Sequence, residues 1–219
     1  IRAYISRAID VDAAGLFHAA WTITNIYLGL ILRSMGTDFF PRLSAIISDR
    51  RKVRKLINEQ SYVVLVIASP IVIGMLLFTD LIFEIFYSPD FLPAGTILRW
   101  QIAGTFLKVL SWPIAFIMLA KGKGRVYLFS EIVFFMVYLG CGYLLFPEYG
   151  IDGFGIGFFL AYLVYLPMAY IIGWKISRFS WDRDIIVMVI TNIILICLAF
   201  YTIQFYSGYI MYVIGGILF

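Results

Sequence analysis

The 219-residue chain is 63% hydrophobic and 14% charged, with a formal net charge of +4, whereas soluble domains average about 45–50% apolar and about 25% charged residues. The apolar content is spread along the whole length in blocks of about 20 residues, which excludes an ordinary soluble domain and defines a membrane protein. The two cysteines, Cys141 and Cys197, fall inside apolar runs and the one histidine, His18, has no ligand-type neighbours, so neither a disulfide, a metal centre nor a cofactor is expected.

In chain order, the sequence opens on Ile1 rather than methionine and closes at Phe219 within an apolar run, as a fragment of a longer protein would. Six runs have the length of a membrane crossing: 16–40, 62–79, 100–120, 126–146, 154–173 and 185–206, with a seventh starting at Tyr209. The predicted fold is all-α, a polytopic transmembrane helix bundle of six to seven spans, with 1–219 as a single bundle and 185–219 as extra helices. The first helical stretch, Ala13 to Ser48, is too long for one straight crossing, and a bend or break is expected between Gly36 and Pro41.

The connections supply orientation. DRRKVRK (49–55), KGKGR (121–125) and WKISRFSWDRD (174–184) carry most of the Lys and Arg and fall at every second loop. The alternate loops, 79–96, 146–152 and 204–209, carry acids or little charge. By the positive-inside rule the basic loops are cytoplasmic. The net positive charge therefore has a topological role, with attraction to anionic membrane lipid besides, and calls for no nucleic-acid partner. The glycines at 122–124 and 153–157 are not preceded by strands and lack a phosphate-binding pattern, so they are read as turn or helix-packing features.

Four ionisable residues fall within or near the spans: Arg33, Asp38, Lys108 and Glu131. A charge at mid-span costs about 2.5–3.5 kcal/mol on insertion scales, so each is expected to face a partner or a wet cavity. Lys108 is the deepest, roughly 12 Å and 18 Å from the two ends of its run at 1.5 Å per residue. Its neighbours at helical spacing, Gln101, Gly104, Thr105, Ser111, Trp112 and Ala115, form a polar and small stripe that is suited to line water. The first span repeats the pattern with Thr22, Asn25, Gly29 and Arg33. Against this stands a structural reading, in which Lys108 pairs with Glu131 and Arg33 with Asp38 only to hold helices together; a depth difference of about 10 Å makes the first pair awkward.

The segments GLFHAAWTITNIYLGLILRSMGTDFFPRLS, FEIFYSPDFLPAGTILRWQIAGTFLKVLSWPIAFIMLAKGK and RVYLFSEI together resemble the O-antigen translocases, flippases of lipid-linked oligosaccharides within the multidrug/oligosaccharidyl-lipid/polysaccharide exporter superfamily. The resemblance runs from Ile1 to about Trp174 and is strongest between Phe91 and Glu131. It implies two six-helix bundles facing each other across a central cavity, this chain being most of the C-terminal one. It further implies a bacterial inner-membrane carrier that moves an undecaprenyl-pyrophosphate-linked repeat unit from the cytoplasmic to the periplasmic leaflet, with the polysaccharide polymerase machinery as a partner. Under that resemblance Lys108 and Arg33 attract the diphosphate or acidic sugars. Gln101, Ser111, Asn25 and Thr22 hydrogen-bond sugar hydroxyls, Trp112 or Trp21 stacks on a pyranose, and Glu131 and Asp38 serve as charge partners or in ion coupling. Such a carrier needs no catalytic residues.

Three other readings remain open. A membrane transferase or polymerase would be expected to cluster acids and a base in the external loops, where Asp80, Glu84, Asp90, Arg99, Glu148 and Asp152 look scattered. An exporter of cationic drugs would be expected to line its cavity with acids rather than lysine and arginine. A structural scaffold would tolerate any cavity substitution.

Overall fold

The computed structural model describes residues 11–205; the seventh apolar run and the side chain of Arg33 lie outside the described residues. The described residues form seven α-helices: α1 (Val11–Ala45), α2 (Arg50–Leu77), α3 (Thr79–Phe86), α4 (Gly95–Ala120), α5 (Gly124–Tyr149), α6 (Asp152–Ser177) and α7 (Arg183–Phe205), with a 3-10 turn at Pro89–Ala94. Among the described residues, five helical segments are long and apolar enough to cross a membrane: Arg50–Leu77, Pro89–Ala120, Gly124–Tyr149, Asp152–Ser177 and Arg183–Ile203. The first predicted span, 16–40, lies within α1. This is a multi-pass membrane protein with an all-helical bundle.

Helix ends differ from the sequence expectation where caps and turns act. The basic stretch 49–55, read as a loop, is the opening of α2. Asp49 accepts hydrogen bonds from the backbone N–H groups of Arg51 and Lys52 at 3.0 and 3.2 Å, satisfying donors that would otherwise be orphaned at the helix start. Solvated Arg and Lys tolerate a helix extended beyond the apolar run. On the opposite side, the 79–96 loop folds into α3 and the 3-10 turn. α1 continues through Gly36 to Pro41, where a bend or break was predicted. Pro41 is one turn from the helix end, so it removes a single backbone hydrogen bond close to where the ladder stops anyway.

α4 is the most buried crossing and the centre of the bundle. It packs lengthwise on α6 and is flanked by α1 and α2, while α5 packs on α6 and scarcely touches α4, and α7 lies against α2. Glycine makes the α6 contacts close. A Cβ placed on Gly157 would stand 2.9 Å from the Gly142 nitrogen of α5, and one on Gly104 would stand 2.7 Å from the Phe158 ring. The outer faces of α5 and α7 expose Leu128, Ile132, Met136, Leu144, Ile186 and Ile190, as lipid-facing surfaces do. With α6 holding α4 on one side and α5 on the other, a wedge is left between α1, α4 and α5.

Candidate functional site

The wedge contains a cavity of about 350 Å³, lined by Trp21 and Asn25 of α1, Lys108, Ser111, Trp112 and Phe116 of α4, Tyr127, Glu131, Phe134 and Tyr138 of α5, and Phe158, Tyr162 and Tyr165 of α6. A second cavity of about 590 Å³ runs along α1, past Gly29, Leu32, Gly36, Thr37 and Phe40. Both are lined by Asn25, Lys108, Trp112 and Phe116, so Lys108 stands where the two meet.

Local sequence explains each wall. On α4, Lys108, Ser111, Trp112 and Ala115 follow at three- and four-residue steps and share one face. The Ser111 hydroxyl donates to the Lys108 carbonyl at 2.8 Å, so its hydrogen is used within the helix and its lone pairs are presented. Trp112 stacks on Phe39 at 5.9 Å between centroids and meets Phe116 edge-on at 4.7 Å. This aromatic lock depends on Gly36, because a Cβ there would stand 2.9 Å from the Trp112 ring. On α1, Asn25 donates to the Trp21 carbonyl at 2.8 Å, and Trp21 packs edge-on against Phe158 at 5.8 Å.

The α5–α6 wall is a cluster of aromatic rings around one carboxylate. The Tyr165 hydroxyl donates to Glu131 Oε1 at 2.9 Å. Phe134 packs on Tyr162 at 4.5 Å, and Phe158 on Tyr162 at 5.0 Å. Tyr138 is 1% exposed, and its hydroxyl has no hydrogen-bond partner among the described residues.

Of the residues selected from the sequence, Lys108, Ser111, Trp112, Asn25 and Glu131 come together in one cavity. Lys108 and Glu131 line it despite the expected difference in depth. Three others are placed elsewhere. Gln101 is fully buried, its side-chain oxygen accepting from Thr24 at 3.2 Å, so it belongs to the α1–α4 interface and does not line the cavity. Thr22 lies one turn from His18, 3.4 Å away, off the cavity wall. Asp38 is exposed and pairs with Arg42 at 3.1 Å on its own helix. The tyrosines were missed. Tyr127, Glu131, Phe134 and Tyr138 recur at helical spacing on α5, as Phe158, Tyr162 and Tyr165 do on α6, but an aromatic stripe in a membrane helix reads first as packing.

The charges of the 79–99 region are less scattered than they look in sequence. Arg99, 17% exposed, donates to Asp80 at 2.6 Å, joining the start of α3 to the first turns of α4.

Fold and site therefore define a multi-pass helical membrane protein with a mixed polar and aromatic cavity inside the bundle. Sequence comparison says what it is similar to. The profile of the family described as "Polysaccharide biosynthesis protein" matches residues 2–95. Proteins named "Lipid III flippase" from Escherichia coli (strain K12) and Shigella flexneri are each 23% identical over 168 residues, 77% of this chain and 40% of theirs. A Shigella flexneri protein named "Putative O-antigen transporter" is 25% identical over 153 residues, 69% of this chain and 36% of its own length. The chain spans about two fifths of the length of the curated relatives it matches. No solved structure matches. The resemblance to O-antigen translocases read from the sequence is thus shared by independently matched relatives.

Proposed function

We propose that this chain is the C-terminal bundle of a bacterial inner-membrane flippase, which carries a polyprenyl-diphosphate-linked oligosaccharide from the cytoplasmic to the periplasmic leaflet by alternating access. The observation that carries the proposal is the junction of two cavities at Lys108. A flippase must give a polar head a wet path and keep the lipid tail in apolar surroundings. Lys108, at the meeting point of a polar, aromatic cavity and an α1 groove bordered by Gly29, Leu32 and Phe40, supplies a compact cation where an anionic diphosphate joins head to tail. Arg33 is the second cation of the proposal. Ser111 and Asn25 offer hydrogen-bonding groups in the same cavity as Lys108, and Trp112 and Trp21 offer aromatic surface. Gln101 and Thr22 take structural roles rather than substrate contacts.

The names of the matched relatives, which include flippases and a transporter, support the reading at the level of function class. The enzyme alternative gains no specific observation, since Asp80, one of its external acids, is held by Arg99.

The test is reconstitution. Full-length protein in liposomes, given a fluorescent polyprenyl-diphosphate oligosaccharide in the inner leaflet, should make the glycan accessible to an external lectin faster than protein-free liposomes do. An equal rate with and without protein, under every ion gradient applied, would contradict the proposal.

A further inference from the structure

The α5–α6 wall of the cavity is not explained by a diphosphate site. It carries a carboxylate, which repels phosphate, four tyrosines and three phenylalanines, on helices other than the one that carries Lys108. We infer that this wall, with Glu131, Tyr138, Tyr162 and Tyr165 as its key residues, is a separate subsite for an uncharged sugar ring, and that it sets which sugar the carrier accepts. The inference rests on the flippase reading and assigns one part of the cavity to one part of the substrate.

Chemistry supports a sugar here. A carboxylate is acceptor-only and can take hydrogens from two adjacent hydroxyls, while a tyrosine hydroxyl both donates and accepts. A flat aromatic face covers the C–H side of a pyranose, and Phe134, Tyr162 and Phe158, packed tilted and edge-on against one another, are three rings that could each offer one. Glu131 and Tyr138 are seven residues apart on one face of α5, about 10 Å along the axis, so a ring lying between them can reach both. The volume agrees: about 350 Å³ lies at the small end of ligand pockets of about 300–1,000 Å³, enough for one or two sugar rings and not for a long glycan.

The Tyr138 hydroxyl is the second, independent observation. It is buried, lines the cavity and has no partner among the described residues. An orphaned buried hydroxyl is destabilising, and its removal as phenylalanine is neutral or favourable for folding. Its presence is explained if a ligand completes it. A metal ion fits less well, because among the described residues no three carboxylate, imidazole or thiol groups converge on one point.

The experiment uses purified full-length protein and two probes: the native lipid-linked repeat unit extracted from the producing cells, and the same lipid stripped of sugar to the bare polyprenyl diphosphate. Binding is read from tryptophan fluorescence, to which Trp21 and Trp112 contribute from the cavity wall. Wild type should bind the native lipid more tightly than the bare one. Tyr138→Phe and Glu131→Gln should each weaken the native lipid about tenfold, the loss of one good buried hydrogen bond, and leave the bare lipid unchanged. Lys108→Ala should weaken both. Tyr138→Phe should melt no lower than wild type, which separates ligand loss from misfolding. Equal weakening of both probes by Tyr138→Phe and Glu131→Gln, or none, would overturn the subsite. So would unchanged affinities accompanied by a lost pH dependence of transport in Glu131→Gln, which would make Glu131 an ion-coupling group. A wild type that binds neither probe would sink the flippase reading itself.

Discussion

Lys108 lies about 18 Å along its helix from the end at Ala120 and about 20 Å from Gly95, too deep to reach either membrane surface. A charge so placed survives where a cavity meets it, and two do. Small residues around it are equally constrained. Gly157 leaves no room for a side chain against the α5 backbone, so Gly157→Val should cost about 1–3 kcal/mol by overpacking, or more where the helices separate. Thermal unfolding of the full-length protein in detergent checks this, and an unchanged melting temperature would contradict it. At this scale Lys108, Ser111, Trp112 and Asn25 were legible because polar groups on an apolar helix stand out. Tyr138 and Tyr165 were not, because nothing in their local sequence separates a tyrosine facing a cavity from one packed in a membrane core. Gln101 is the converse case, buried rather than lining the cavity. Its helical register with Lys108 is right, but burial against Thr24 is decided by a neighbouring helix.

Among the elements, α2 and the segment before α7 are joined by Asn58 and by an ion pair. Asn58 Nδ2 donates to the Ser180 carbonyl at 3.1 Å and to the Arg54 carbonyl at 2.9 Å, while Oδ1 accepts from the Asp182 N–H at 2.8 Å. Asn58 is nearly buried, so Asn58→Ala strands a backbone donor and should cost about 1–3 kcal/mol, measurable as a lower melting temperature. No loss of stability would show that water replaces the side chain. The nearby Arg54–Asp182 pair at 2.6 Å is half exposed, and its removal should matter less. Five of the six apolar runs coincide with helices long and apolar enough to cross, since about 20 apolar residues leave few alternatives, whereas the first, 16–40, lies in a helix that is not among them. Their ends were less legible. Asp49 starts α2 well ahead of its apolar run through a cap, and the 79–96 loop hides a helix whose length falls below any span.

For the whole molecule, the alternation of basic and acidic loops predicts an orientation with 121–125 on the cytoplasmic side and Ser88 outside. Single cysteines at Ser88 and at Lys123, both exposed, should react with a membrane-impermeant maleimide in opposite preparations: intact spheroplasts for Ser88→Cys, permeabilised cells only for Lys123→Cys. Labelling of both in intact spheroplasts would contradict the topology. The cavity is a property of this scale: α6 clasps α4 and α5 through glycine contacts and leaves the wedge in which Lys108, Glu131 and the tyrosines meet. Its most direct test is surface polysaccharide in a strain lacking its own translocase but making the matching repeat unit, complemented by the full-length gene. Lys108→Ala, expressed at the wild-type level, should lose most of the polysaccharide ladder that wild type restores, as expected for removal of a charge-assisted contact of about 1.5–3 kcal/mol. A ladder restored equally by both would show that Lys108 only holds helices together, and would contradict the transport role given to the cavity.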